Sequence, residues 1–131
     1  MFSHATLGSR DLKRSKRFYD AILGVLGCAA SKIWPDGRLR YFHGGGMLTI
    51  LVPINGAAAD PGNGHTLGFR VASPEMGDRW HKEGLRHGGI AIEGPPGIRQ
   101  RPIGNIYLAY LRDPDGNKLC AMVKVDWSIE G

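Results

Sequence analysis

Cysteine is scarce: Cys28 and Cys120 are the only two in 131 residues. Two thiols in apolar surroundings are too few for a disulfide framework, so both are expected reduced and the compartment cytoplasmic. Long apolar runs are absent as well, and no stretch approaches the ~20 residues that cross a bilayer. The first residues, with His4 early and no basic start or extended apolar segment, do not read as a signal peptide. Nucleic-acid motifs are missing: there is no helix-turn-helix pattern, zinc-finger spacing or aromatic RNA-binding motif. What remains, 42% apolar and 22% charged, is ordinary for one globular domain long enough to close a core.

The formal net charge is +5, and Lys13, Arg14, Lys16 and Arg17 supply much of it from one predicted helix. Without a motif beside them, these charges read as a solvated face rather than a phosphate-backbone contact. A positive field nevertheless favours small anionic ligands. Glycine, at 20 residues, clusters in short runs such as Gly44, Gly45 and Gly46, which marks tight connections between strands.

Alternation predicts a strand over 2–8, and Asp11 offers an N-cap to a helix over 12–26. Leu12, Tyr19, Ile22, Leu23 and Leu26 fall on one face of that helix, and Gly27 stops it. Strands are expected over 28–34, 38–43 and 47–53, joined by Pro35-Asp36-Gly37 and by the triple glycine. Residues 55–63, rich in alanine and glycine, have the composition of a linker. The pattern then restarts, with a strand over 64–71, a helix capped by Ser73-Pro74 and running to about 87, and a Gly88-Gly89 stop. Strands over 90–93, 105–112 and 118–125 follow, the last two joined by Asp113-Pro114-Asp115-Gly116-Asn117.

The halves superpose at an offset of 62, which places Asp11 on Ser73, Phe18 on Trp80, Leu23 on Leu85 and Gly27 on Gly89. Caps, an aromatic, an aliphatic and helix stops matching at one offset signal a duplication. The expected architecture is α+β, a βαβββ module repeated: module one over 1–54, linker 55–63, module two over 64–125 and a tail over 126–131.

His4-Ala5-Thr6-Leu7, Asp11-Leu12, Phe18-Tyr19 and Leu23-Gly24 together resemble the opening of the vicinal oxygen chelate superfamily. That group contains glyoxalase I, bleomycin-resistance proteins and extradiol dioxygenases. Phe69 and the run from Tyr110 through Asp113-Pro114-Asp115-Gly116-Asn117 agree, so the resemblance covers residues 2–125. It implies two modules forming a cupped mixed sheet with helices outside, a ligand in the concave side and a homodimer, in some members made by exchanging modules.

Enzymes of the superfamily hold a divalent metal through His or Gln on the first strand, often Glu on the fourth, His or Gln on the fifth and Glu on the eighth. His4 occupies the first of these positions. Thr49 is the nearest polar residue on the fourth strand, and Thr66 rather than His65 occupies the fifth-strand position. The repeat agrees, since the offset carries His4 onto Thr66. Cys120 stands where the last glutamate would be. One usual ligand out of four makes the standard triad unexpected. A metal site, if present, would be a zinc-compatible set of His4, His65 and Cys120, with His65 turned inward by a bulge.

The expected ligand contacts are therefore His4, Thr6, Thr49, Thr66, Arg70, Tyr110 and Cys120, with Trp34 as a stacking surface. Each has a plainer reading beside it. His4 reads equally as a hydrogen-bonded strand-start residue, Cys120 as a small buried hydrophobe, Arg70 as a surface ion pair and Tyr110 as core. Two functions stay open: a metal-free protein binding a small anionic or aromatic molecule, and a lyase or isomerase of the glyoxalase kind using an unusual ligand set. No nucleic-acid or membrane partner is expected.

Overall fold

The computed structural model describes residues 1–127. The elements, in order, are β1 (His4–Gly8), α1 (Leu12–Val25), β2 (Leu39–His43), β3 (Gly46–Leu51), β4 (Leu67–Arg70), α2 (Pro74–Arg86), β5 (Ile90–Ala91), β6 (Gly97–Arg101), β7 (Gly104–Arg112) and β8 (Lys118–Trp127). They make an α+β fold with two mixed sheets. One has the order β1-β3-β2, the other β4-β8-β7-β5, with β6 also pairing β7. The repeat reappears in the pairing: β1 runs parallel to β3, and β4 runs parallel to β8.

Both helices start where the sequence caps them. The Asp11 carboxylate accepts from the Arg14 N–H (3.1 Å), and the Ser73 hydroxyl from the Met76 N–H (3.2 Å). Gly27 and Gly88 take positive φ just past the helix ends, a conformation that favours glycine. Phe18, Tyr19, Ile22 and Leu23 of α1 meet Trp80 of α2, Leu39, Tyr41, Leu48 and Ile50 of the first sheet, and Leu111 and Leu119 of the second in one core. Helix α2 lies close on β7, because a Cβ at Gly77 or Gly84 would sit 2.2 Å from the Tyr107 ring or from Leu111.

The predicted strand over 28–34 does not form; it is reduced to a single bridge between Ile33 and Leu39. Side chains replace the missing ladder. The Asp20 carboxylate accepts from the Ser31 N–H and the Tyr41 hydroxyl, and the Ser31 hydroxyl accepts from the Arg40 N–H. In the second half the predicted strand over 90–93 keeps only two residues. Glu93 there adopts φ +56°, and its carbonyl is taken by the Arg99 guanidinium. An additional strand, β6, pairs with β7; its polar run Arg99-Gln100-Arg101 suits an edge. The strand expected over 64–71 begins at Leu67, the first strand at His4, and β8 extends to Trp127. Of the expected tail, residues 128–131 lie outside the described residues.

The hairpin Asp113-Pro114-Asp115-Gly116-Asn117 joins the halves. Asp113 accepts from the Tyr19 hydroxyl and from the Asn117 and Asp115 N–H groups. Burial pushes its carboxyl pKa up, while the bonds from Tyr19 and Asn117 oppose that shift. Asp115, 2% exposed, accepts from the Arg10 N–H, the Arg10 and Arg14 guanidiniums and the Ser15 hydroxyl. Asn117 donates to the Gly8 carbonyl at the end of β1 (3.2 Å). Among the described residues no helix is long and apolar enough to cross a membrane.

Candidate functional site

Strand alternation sorts the polar residues of the first sheet onto its face away from the helices. Because Leu39, Tyr41, Leu48 and Ile50 fill the core, their neighbours point outward in cross-strand rows: His4, Met47 and Phe42, then Thr6, Thr49 and Arg40. His4 and Thr6 are exposed, and His4 Nδ1 lies 2.7 Å from the Ser3 hydroxyl; Thr49 is buried. The Trp34 ring packs edge-on to Phe42, with Lys32 and Arg40 over it at 4.6 and 5.3 Å. Thus His4, Thr6 and Thr49 belong to one sheet, with Trp34 packed beside it on Phe42.

The other candidates belong to the second. Gly68, Cys120 and Tyr110 form one cross-strand row, and Arg70, Met122 and Leu108 the next. Cys120, 8% exposed, packs with Ile106 and Leu108, its sulfur over Gly68, where a Cβ would lie 3.2 Å from it. Tyr110 has Arg99 and Lys118 at 5.1 Å from its ring. Thr66 and His65 stand just before β4, the His65 imidazole packed on Gly62. Of the histidines given no role by the sequence, His81 is buried on α2, which lowers its pKa, and His87 bonds the Glu83 carbonyl. His43 lines the cleft described below.

Burial raises the pKa of both thiols, Cys28 and Cys120. At pH 7.5 iodoacetamide should therefore modify the native chain roughly tenfold more slowly than the urea-unfolded chain. The folded state holds the thiol protons more tightly, so their contribution to stability is full below the ordinary thiol pKa and is lost as pH rises through the raised one. Denaturation midpoints should fall above about pH 8.5, less steeply in Cys120→Ala. Rapid native alkylation of Cys120 would contradict its enclosure.

An opening of about 510 Å3 forms a cleft where β1 and β4, edges of different sheets, face each other. Leu23, Leu26 and Leu48 line it from the first half, and Leu67, Phe69 and Met76 from the second. Arg70, His43 and the Cys28 thiol add polar groups, and Gly68 and Met47 carry it toward the outward sheet faces. Of the seven contacts expected from sequence, Arg70 alone is on this wall. The apolar lining has the sequence pattern of core, because periodicity cannot show that two edges remain unpaired.

Among the described residues no three His, Cys, Asp or Glu side chains come together to hold a metal. His4 lies at the exposed start of β1, His65 in the loop before β4, and Cys120 in an apolar cluster on β8.

Two helices over two mixed sheets, each half opened by a strand parallel to a later one, define the glyoxalase/bleomycin-resistance fold. Residues 1–121 match the Glyoxalase/Bleomycin resistance protein/Dioxygenase superfamily, and the chain belongs to it. Among solved structures it is similar to a glyoxalase/bleomycin resistance protein from Albidiferax ferrireducens T118, at 50% identity and a TM-score of 0.90. That match covers 93% of this chain and 98% of the other. A glyoxalase-related enzyme from Fulvimarina pelagi shares the fold at 21% identity, TM-score 0.71, with 100% and 97% covered. A lactoylglutathione lyase from Agrobacterium tumefaciens does so at 20% identity, TM-score 0.63, with 93% and 92% covered. No curated protein matches the sequence.

Proposed function

We propose that the chain is a cytoplasmic, homodimeric protein that binds a small organic anion without the superfamily's usual metal triad. The observation that carries this reading is the cleft between β1 and β4: about 510 Å3, largely apolar, with Arg70 on its wall. That volume suits a small-molecule site. Transferring the apolar body of a ligand into it gains roughly 25 cal/mol per Å2 removed from water. The Arg70 guanidinium, which makes no ion pair with another described residue, presents a planar fork to a carboxylate. His4, Thr6 and Thr49 on one sheet, and Tyr110 and Cys120 on the other with Thr66 just before β4, are proposed as the polar contacts flanking that gap. The open edges of β1 and β4 support a second copy closing it.

Calorimetric titration with aliphatic and aromatic carboxylates tests the reading, beside metal analysis of the untagged protein and of Cys120→Ala. Expected are saturable carboxylate binding, a loss of about tenfold in affinity in Arg70→Gln, and no stoichiometric metal. Stoichiometric zinc that disappears in Cys120→Ala would overturn this reading in favour of a zinc-dependent lyase or isomerase using His4, His65 and Cys120.

A further inference from the structure

At the opposite end of β4 from Arg70 lies a second, smaller cavity of about 190 Å3, lined by the loop over 61–66 and by Arg112 and Lys118. Its composition differs from that of the cleft. His65, Thr66, Arg112 and Lys118 bring one imidazole, one hydroxyl, one guanidinium and one ammonium to a single hollow. Arg112 and Lys118 face each other across the β7–β8 pair, on the same face as Tyr110 and Cys120. We propose that this pocket binds a compact oxyanion, the phosphate or carboxylate group of a small molecule.

Three observations favour an anion over a structural role for these charges. Arg112 commits one nitrogen to the Gly116 carbonyl (2.7 Å), which leaves the rest of its five-donor fork for a ligand. The Lys118 ammonium reaches the Glu93 carboxylate at 2.6 Å, but that carboxylate is 46% exposed, so the pair is weak and readily exchanged. Among the described residues Glu93 is also the only non-glycine with positive φ, so the competing carboxylate stands on a strained backbone. The loop's own acid, Asp60, is turned onto the Gly62 N–H (2.8 Å). Gly62 and Gly64, both at positive φ, let the loop curl around the hollow. The volume is several times the ~30 Å3 of a water molecule in the liquid, enough for an oxyanion with part of its hydration shell.

Glu93 acts in this arrangement as an internal competitor for Lys118. Removing either partner should therefore change anion affinity in opposite directions, an outcome that general surface charge does not produce. The test is an amide-resolved NMR titration of the full chain with sodium phosphate, against sodium chloride at matched ionic strength, with sodium acetate as a second arm. Expected are saturable shifts confined to residues 62–66, 112 and 118. Lys118→Gln should weaken binding roughly tenfold, and Glu93→Gln should tighten it about threefold. His65→Ala, in an exposed loop, gives a second weakening variant should Lys118→Gln fail to fold. Phosphate binding tighter than acetate assigns a phosphoryl group, and the reverse a carboxylate. Equal shifts in chloride, shifts spread over the basic helix α1, or unchanged affinity in Lys118→Gln and Glu93→Gln would each overturn the proposal. Arg70→Gln should leave these shifts intact, so this site and the cleft fail or stand separately.

Discussion

Replacing Asp115 with alanine is expected to cost the fold about 3–5 kcal/mol, more than any other single substitution proposed for this chain. The carboxylate is buried and accepts from the Arg10 backbone, two guanidiniums and the Ser15 hydroxyl, all on the first half of the chain. Alanine leaves the buried Ser15 hydroxyl and the Arg10 N–H without their acceptor at the seam between the halves, and takes from the partly exposed guanidiniums the carboxylate that gathers them. For a domain whose whole stability is about 5–15 kcal/mol, that loss approaches unfolding at physiological temperature. Urea and thermal denaturation measure it directly, with Asp36→Ala as the control. Asp36 pairs with Arg40 and Arg38 from an exposed position where solvent screens the charges, so its loss should shift the midpoint far less. Equal costs for the two would refute the part given to Asp115 in tying the hairpin to the first half.

Alanine at two helical glycines should move stability in opposite directions. At Gly77 a Cβ would stand 2.2 to 2.7 Å from three atoms of the Tyr107 ring and hydroxyl. That ring is buried, and its hydroxyl donates to Asp78 at 2.7 Å, so it has little freedom to yield. Overpacking of this kind costs about 1–3 kcal/mol and outweighs the roughly 1 kcal/mol by which alanine favours a helix over glycine. At Gly24 of α1 nothing lies within 4 Å of the added carbon, so the helix preference acts alone and Gly24→Ala should stabilise by about 0.5–1 kcal/mol. Urea midpoints of the two variants decide it: a shift of the same sign in both would refute the close approach of α2 to β7.

Features set by neighbouring residues are legible in the chain itself. Asp11 and Ser73 cap their helices because a side-chain oxygen three residues ahead of an N–H is enough to satisfy it. The hairpin over 113–117 forms as its residues dictate, and Arg112 and Lys118 emerge paired on either side of it. The repeated element order also carries into three dimensions, since the first strand of each half pairs in parallel with the last. The offset of 62 does not: it would place the partner of His4, Met47, on Ala109 of β7, whereas β4 pairs with β8. The segment over 28–34 departs from its pattern for an equally definite reason. Its alternation suits a strand, but Asp20, eleven residues ahead of Ser31, takes the Ser31 N–H that a ladder would have used.

The sequence by itself determined the helix caps and stops, the α+β fold and the superfamily. That His4, Thr66 and Cys120 stand where superfamily enzymes carry metal ligands is what the resemblance implies, carried onto this chain by their distances from caps and turns. Only the tertiary structure decided where a ligand has room. The cleft depends on Leu26 meeting Phe69 and Met76 across two sheet edges that do not pair, and the anion pocket on His65 meeting Arg112 and Lys118. Such contacts join residues some forty or more positions apart, and periodicity, which reports only which side of an element is apolar, carries no information about which edge is left open.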